Sequence, residues 1–119
     1  MAGKLTTHVL DIAQGIPAAG MRIELWRLGD DASASLVTVA ITNHDGRTDA
    51  PILMDAAFGA GDYELRFSVG DYFAGQPVAV SEPPFLNIVP VRFSITDESG
   101  SYHVPLLTSP WAYSTYRGG

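Results

Sequence analysis

The eight residues DYELRFSV, positions 62–69, decide the fold class of this chain because they alternate between apolar and polar side chains. The apolar positions are Tyr63, Leu65, Phe67 and Val69, and the polar ones between them are Glu64, Arg66 and Ser68. A period of two is typical of a β-strand with one buried face. The same alternation returns in VRFSIT, residues 91–96. These two segments predict neighbouring strands over a common core.

Further segments fit strands less regularly, and turn residues separate them. They are KLTTHVLDI (4–12), MRIELWRL (21–28), SLVTVAIT (35–42), PILM (51–54), YHVPLLTS (102–109) and WAYSTY (111–116). Only VGDYFAGQ, residues 69–76, suggests a helix, with Asp71 as its expected N-cap and Gly75 as its expected end. About eight short strands at spacings of about ten residues predict an all-β fold, a two-sheet antiparallel sandwich with one short helix.

Composition limits the architecture and the partners. A chain of 119 residues with 46% hydrophobic and 17% charged residues predicts a single domain over residues 1–119 with its own core. The net charge of -6 argues against a nucleic-acid partner, since that binding needs clustered Lys and Arg. The absence of cysteine excludes disulfides and thiolate zinc sites.

The first fifteen residues, MAGKLTTHVLDIAQG, resemble neither a signal peptide nor a membrane span. We therefore expect no membrane association and a cytoplasmic location.

Three histidines are candidates for chemistry. His44 lies in the turn TNHDGR and is expected to be a solvated turn residue. His8 and His103 each interrupt a predicted strand. A strand histidine is often only structural, and a histidine pair is also able to bind metal, but no Cys or carboxylate stands at ligand spacing. No metal site is therefore predicted.

The alternation of side chains places both strand histidines on outward faces. His8 shares a face with Thr6 and Leu10, and His103 shares one with Pro105 and Leu107. The opposite face near His103 suits the core better and carries Tyr102, Val104 and Leu106. An outward face that is partly apolar suggests self-association.

The last strand adds two residues to that surface. Ser114 and Tyr116 share one of its faces, so His8, His103, Ser114 and Tyr116 would line a single surface if the first and last strands lie in one sheet. Arg47 and Arg117, taken alone, have the character of surface arginines. No nucleophile-elbow motif supports a serine hydrolase.

Three motifs together resemble the transthyretin-like family, and within it the branch of 5-hydroxyisourate hydrolases. They are LTTHVLDIAQGIPAAGM (5–21), TNHDGRTD (42–49) and YHVPLLTSPWAYSTYRGG (102–119). The enzymes of this branch end in Tyr-Arg-Gly-Ser. Here the ending is Tyr116, Arg117, Gly118 and Gly119, so the last position departs from the family pattern.

The resemblance implies a homotetramer, a dimer of dimers with active sites in the central channel. It implies hydrolysis of 5-hydroxyisourate to 2-oxo-4-hydroxy-4-carboxy-5-ureidoimidazoline without a cofactor. His8, Arg47 and His103 are then the catalytic residues, with either histidine as the base that activates water and Arg47 stabilising the oxyanion. Substrate-binding roles fall to Ser114 and to the ending, residues 116–119. Within that ending Arg117 would orient the substrate and Tyr116 would narrow the channel.

Two other functions remain open at this level. A small-ligand carrier would bind in the same inter-dimer channel without chemistry, although it would not require two imidazoles there. An immunoglobulin-like interaction module would present a surface patch to another protein and would depend on neither histidine.

Overall fold

The computed structural model describes residues 3–119, which form eleven β-strands, one α-helix and one short 3-10 helix. The strands are β1 (Lys4–Thr6), β2 (Val9–Asp11), β3 (Ile16–Pro17), β4 (Arg22–Leu28), β5 (Ala34–Ile41), β6 (Leu53–Met54), β7 (Gly61–Ser68), β8 (Ile88–Ile95), β9 (Ser101–His103), β10 (Leu106–Thr108) and β11 (Tyr113–Thr115). The α-helix, α1, spans Val69–Ala74, and the 3-10 helix spans Asp55–Ala57.

One layer of the sandwich is an antiparallel sheet in the order β5-β4-β7-β8. The other layer consists of two short sheets, ordered β6-β1-β9 and β11-β10-β2-β3. Backbone hydrogen bonds link these two, from Val104 to Thr6 (N to O, 2.9 Å) and from Leu106 to His8 (3.0 Å). The second layer therefore behaves as one sheet that is interrupted at residues 7–8 and 104–105.

The two central pairs of the second layer are parallel, β1 with β9 and β2 with β10. The antiparallel prediction thus holds for every strand pair except these two. A parallel pair needs a long crossover connection, and here almost the whole chain supplies it. As a result, the first and last parts of the sequence lie side by side.

The core confirms the period-two pattern of the opening segment. Tyr63, Leu65 and Phe67 of β7 are almost completely buried, and from the second layer Leu5 and Leu106 meet them in the same apolar cluster. Burial of this kind is the main stabilising contribution to such a sandwich.

The strand count differs from the prediction for a local reason. Two predicted strands, 4–12 and 102–109, are each divided into two, and Pro105 at the second break has no amide proton to donate to a ladder. The remaining addition is β3, a two-residue strand paired with β2.

The helix lies where it was predicted, but its N-cap does not. Ser68 precedes the first helical residue, and Asp71 lies within the first turn instead of capping it. The chain passes directly from β7 into α1, so the helix begins three residues earlier than Asp71 as N-cap suggested. Gly75 ends the helix as predicted. Between residues 3 and 119, no helix is both long and apolar enough to cross a membrane.

Candidate active site

Both strand histidines lie on the outward face of the second layer, as the alternation predicted. His8 and His103 are half-buried, whereas their neighbours Thr7, Val9 and Val104 are buried toward the core. The parallel register of β1 and β9 places His103 directly beside Thr6. The two histidines are therefore brought together by strand pairing, although they are far apart in sequence.

The turn that carries Arg47 is shaped by the side chain of Asn43. Its Oδ1 accepts hydrogen bonds from the backbone amides of Asp45 (2.9 Å) and Arg47 (3.2 Å), and the backbone amide of Asn43 donates to the carbonyl of Arg47 (2.7 Å). Gly46 adopts a φ of +77°, and a Cβ there would overlap the carbonyl oxygen of Val9. Only glycine allows this turn to lie so close to the strand.

The same turn is attached to the strand at His8 and Val9. The Val9 amide donates to the carbonyl of Gly46 at 2.8 Å, and His8 Nε2 lies 2.8 Å from the carbonyl oxygen of Asp45. A carbonyl only accepts, so Nε2 of His8 carries a proton and the Nδ1 of neutral His8 keeps its lone pair. Arg47 is thereby positioned next to His8. Its guanidinium is exposed and has no hydrogen-bond partner among residues 3–119.

The imidazole of His103 is hydrogen-bonded at one nitrogen, and its surroundings shift its pKa. Its Nδ1 lies 2.8 Å from Oγ1 of Thr6. Burial lowers the pKa of His103, and the electrostatic effects of the Arg47 guanidinium and of the neighbouring His8 lower it further. His103 is therefore neutral at pH 7, and its Nε2 has no partner among the described residues.

The C-terminal segment lies against His103 through Gly118. The Gly118 amide donates to the carbonyl of His103 at 2.7 Å, and a Cβ on Gly118 would overlap Cδ2 of the imidazole. Arg117 turns away from the ring: its guanidinium carbon lies 4.1 Å from the centre of the Tyr102 ring, and Nη2 donates to the carbonyl of Ser101 at 3.3 Å. Gly119 is exposed.

Two other predicted residues lie nearby but do not meet the imidazoles in this chain. Tyr116 is exposed, and with Arg117 and Phe93 it borders a groove of about 270 Å³ between the edges of the two layers. Ser114 is exposed on β11 opposite Leu107, which in turn pairs with Leu10 of β2. Ser114, Leu107 and Leu10 therefore form a row across neighbouring strands, and this row connects β11 with the segment that carries His8.

The site thus joins His8, Arg47, His103 and Gly118. Thr6 was noted in the sequence only as a face-sharing neighbour of His8, and its contact with His103 depends on the register of the parallel pair. His44 remains a turn residue, with a side chain 89% exposed and 3.5 Å from Asp45.

A cavity of about 300 Å³ adjoins the site, and its walls include Lys4, Thr6, Arg47 and Asp49. Its mixture of cationic, acidic and hydroxyl groups suits a small polar ligand. The structure as described contains no group of three or more His, Asp or Glu residues arranged to hold a metal ion.

A larger cavity, about 380 Å³, lies on the other layer and is not suited to chemistry. Its buried carboxylate, Glu64, already accepts from Arg66 (2.5 Å) and Arg92 (2.7 Å). Arg66 also lies 4.2 Å from the ring centre of Trp26. These charges stabilise one another, whereas the guanidinium of Arg47 has no such partner in the described part of the chain.

Comparison with known proteins relates this geometry to a family. The HIUase/Transthyretin family matches residues 5–118. The chain is 58% identical to a 5-hydroxyisourate hydrolase from Mesorhizobium japonicum, over 98% of this chain and 92% of the relative. It is 56% identical to a 5-hydroxyisourate hydrolase from Deinococcus radiodurans, over 96% of this chain and 94% of the relative.

Solved structures show the same sandwich. The crystal structure of an (S)-allantoin synthase superimposes with a TM-score of 0.92 at 48% identity, and the match covers 98% of this chain but only 44% of that longer one. Transthyretin from Sparus aurata superimposes with a TM-score of 0.85 at 25% identity, over 97% of this chain and 96% of that one.

Proposed function

Because this chain belongs to the HIUase/Transthyretin family, we propose from its hydrolase relatives and its own site that it hydrolyses 5-hydroxyisourate. The product of ring opening is 2-oxo-4-hydroxy-4-carboxy-5-ureidoimidazoline. One observation supports this most directly: the neutral imidazole of His103 lies in the field of Arg47, a guanidinium that no described residue pairs. A base and an oxyanion-stabilising cation are the two groups that amide hydrolysis requires.

In the proposed mechanism, His103 activates the water. Its Nε2 takes a proton from a water molecule whose oxygen attacks the ring carbonyl carbon. The lowered pKa keeps this nitrogen unprotonated at pH 7, so the base is ready before substrate arrives. His8, with Nε2 fixed on the carbonyl of Asp45, offers its Nδ1 lone pair to orient the same water or a ring N–H.

Arg47 acts when the carbonyl oxygen becomes negative. Its guanidinium donates to the oxyanion of the tetrahedral intermediate, a charge-assisted interaction that is stronger than the one to the neutral carbonyl. The C–N bond of the ring then breaks, and the proton held on His103 passes to the departing nitrogen. The released carboxyl group ionises, and His103 returns to its neutral form.

The C-terminal segment, residues 116–119, completes the proposed site. Gly118 holds the ring of His103 by close contact, and Arg117 and Tyr116 border the adjacent groove. We assign substrate orientation to Arg117, restriction of pocket width to Tyr116, and polar contacts to Ser114 and Gly119.

A homotetramer, in which two dimers meet across a channel, forms part of this proposal. Both β8 and β11 are edge strands with no neighbour on one side among the described residues. Exposed apolar side chains on the site-bearing layer include Ile12, Ile16 and Tyr113. Unpaired strand edges and apolar patches of this kind favour pairing with further copies of the chain. Size-exclusion chromatography with light scattering should give four times the mass of the chain, and a stable monomer would contradict the inter-subunit channel.

The activity is tested by following the ultraviolet absorbance of freshly generated 5-hydroxyisourate. The unaltered protein should accelerate its decay over the spontaneous rate, and His103→Ala should remove most of the acceleration. His44→Ala is the matched control, because His44 is exposed in the turn that carries Arg47 and has no role in the mechanism.

Two outcomes would overturn the proposal. If the unaltered protein leaves the spontaneous rate unchanged, the chain is not this hydrolase, and tight binding of thyroxine would then favour the carrier alternative. If His103→Ala and His44→Ala retain the same activity, the chemistry lies elsewhere.

A further inference from the structure

The side chains of Thr6 and His103 form a hydrogen bond across a parallel strand pair. The two residues are direct partners in the register of β1 and β9, and Oγ1 of Thr6 lies 2.8 Å from Nδ1 of His103. The backbone carbonyl of Thr6 separately accepts from the amide of Val104 at 2.9 Å. The backbone pairing of the strands therefore brings the two side chains together. The hydroxyl of Thr6 takes no part in the strand ladder and is available to hydrogen-bond the imidazole.

A hydroxyl is an unusual hydrogen-bond partner for the Nδ1 of a histidine that acts as a base. A histidine that acts as a base is commonly oriented by a carboxylate, which also stabilises the imidazolium and raises the pKa. Among residues 3–119, His103 has no hydrogen bond to a carboxylate. The charged or titratable groups near it are Arg47 from the turn, His8 from its own layer, and Arg117, which lies over the neighbouring Tyr102.

We propose that Thr6 is a positioning residue that accepts a hydrogen bond from Nδ1–H of His103 and orients its Nε2 toward the substrate without adding a negative charge. In the base form, Nδ1–H donates to Oγ1, which leaves the lone pair on Nε2 to accept the proton of water. In the imidazolium form, Nδ1–H still donates to the same oxygen, so the ring does not turn during the cycle. This assignment rests on the proposed function, because it gives His103 the role of base.

The two histidines are thus held by acceptors of different kinds. The carbonyl of Asp45 allows only the Nε2–H tautomer of neutral His8, whereas the hydroxyl of Thr6 is able both to accept and to donate. Thr6 therefore accepts from Nδ1–H when His103 is the base, and its hydroxyl can be replaced without removing a backbone contact.

Three substitutions at one position separate orientation from charge. Thr6→Val keeps the shape and removes the hydroxyl, so kcat should fall by about tenfold, the value of one good hydrogen bond, with KM changed by less than about threefold. Thr6→Ser restores the hydroxyl and should recover most of kcat. Thr6→Asp supplies the missing carboxylate and should move the acid limb of kcat/KM upward by about one pH unit or more.

The control is Thr7→Val, the next residue, whose hydroxyl donates to the carbonyl of Val104 at 2.7 Å and is buried. It should lower stability while leaving the titration of His103 unchanged. Circular dichroism establishes whether each variant is folded. If Thr6→Val does not fold, the shift of the acid limb in Thr6→Asp keeps the test decisive.

Nitrogen NMR of the imidazoles provides a measurement that does not depend on turnover. At neutral pH the unaltered protein should show a protonated Nδ1 on His103, and Thr6→Val should move the ring toward the Nε2–H tautomer. If the tautomer and the pH profile are the same in Thr6→Val as in the unaltered protein, the assignment of Thr6 is wrong. If the tautomer responds but the unaltered protein does not hydrolyse 5-hydroxyisourate, the proposed function fails while the positioning role of Thr6 stands.

Discussion

Gly118 packs directly against the imidazole of His103, and its amide donates to the carbonyl of that same residue at 2.7 Å. The imidazole leaves no room for a side chain at position 118, so the residue there is glycine. An added Cβ would overlap Cδ2 of the ring and lie 3.1 Å from both Cβ and Cγ of His103. The final residues of the chain therefore fix one wall of the site by contact with a catalytic candidate.

Gly118→Ala should displace His103 and lower kcat/KM by about 10- to 100-fold, because a misplacement of about 1 Å at a reacting group has effects of that size. The substitution should change the thermal midpoint little, since residues 116–119 are mostly exposed. Initial rates of 5-hydroxyisourate decay provide the measurement.

Gly59→Ala serves as its control, because a Cβ at Gly59 would meet no atom within 4 Å. Equal activities for the two variants would show that contact with Gly118 does not hold the ring of His103.

Gly119→Ser restores the ending found in the enzymes that this chain resembles. One neutral hydrogen bond contributes about 0.5–1.5 kcal/mol, so turnover should rise by about tenfold or less. Steady-state kinetics of both proteins provide the comparison. A far larger gain would mean that the unaltered protein is not a working enzyme.

The pH dependence follows from the pKa of His103, which burial, Arg47 and His8 lower from the ordinary value of 6.5. The neutral base therefore persists below pH 6.5, and the acid limb of kcat/KM should lie below that value. The folded chain also binds this proton less readily than the unfolded chain. Acidification from pH 6.5 down through the folded pKa should accordingly reduce the free energy of unfolding.

Arg47→Gln should raise the pKa of His103 toward 6.5, because it removes one of the charges that disfavour the imidazolium. Proton NMR titration of the His103 ring measures this shift without reference to activity. Arg22→Gln is the control, since the exposed Arg22 pairs with Glu24 on the other layer. The charge assignment is wrong if both variants titrate like the unaltered protein.

Tyr72→Phe should destabilise the fold through a hydrogen bond that the proposed mechanism does not use. The hydroxyl of Tyr72 donates to Oδ2 of fully buried Asp11 at 2.9 Å, and Asp11 also accepts from the amides of Ala13 and Gln14. Loss of this bond should cost about 1–2 kcal/mol, measured by urea unfolding. Tyr113→Phe, on an exposed side chain, should stay within about 0.5 kcal/mol of the parent protein.

Alternation of side chains was sufficient to predict much of this fold from the sequence. It predicted the positions of most strands, the burial of Leu65 and Phe67, and the outward orientation of His8 and His103. These predictions follow because a strand with one buried face can direct its apolar side chains to the core in only one register. The break at Pro105 and the short β3 were not predicted, since each depends on how neighbouring strands meet.

The finer features of the site required the register between distant strands. The contact of Thr6 with His103 follows from parallel pairing that no local pattern encodes. The substrate-orienting role of Arg117 stays a prediction, and the sequence did not indicate that its guanidinium lies over the ring of Tyr102. An attraction between a cation and an aromatic face is a matter of tertiary proximity, which periodicity does not reveal.

The hydrogen bond between Thr6 and His103 joins residues that are 97 positions apart. Contacts of such long range form late and slowly, because the entropy of closing the intervening loop must be overcome before they stabilise anything. A nascent chain therefore cannot place His103 beside Thr6 until its last strands have emerged and joined the first. Catalytic activity is for the same reason a reporter of global folding, and it should disappear in denaturant together with the sandwich itself.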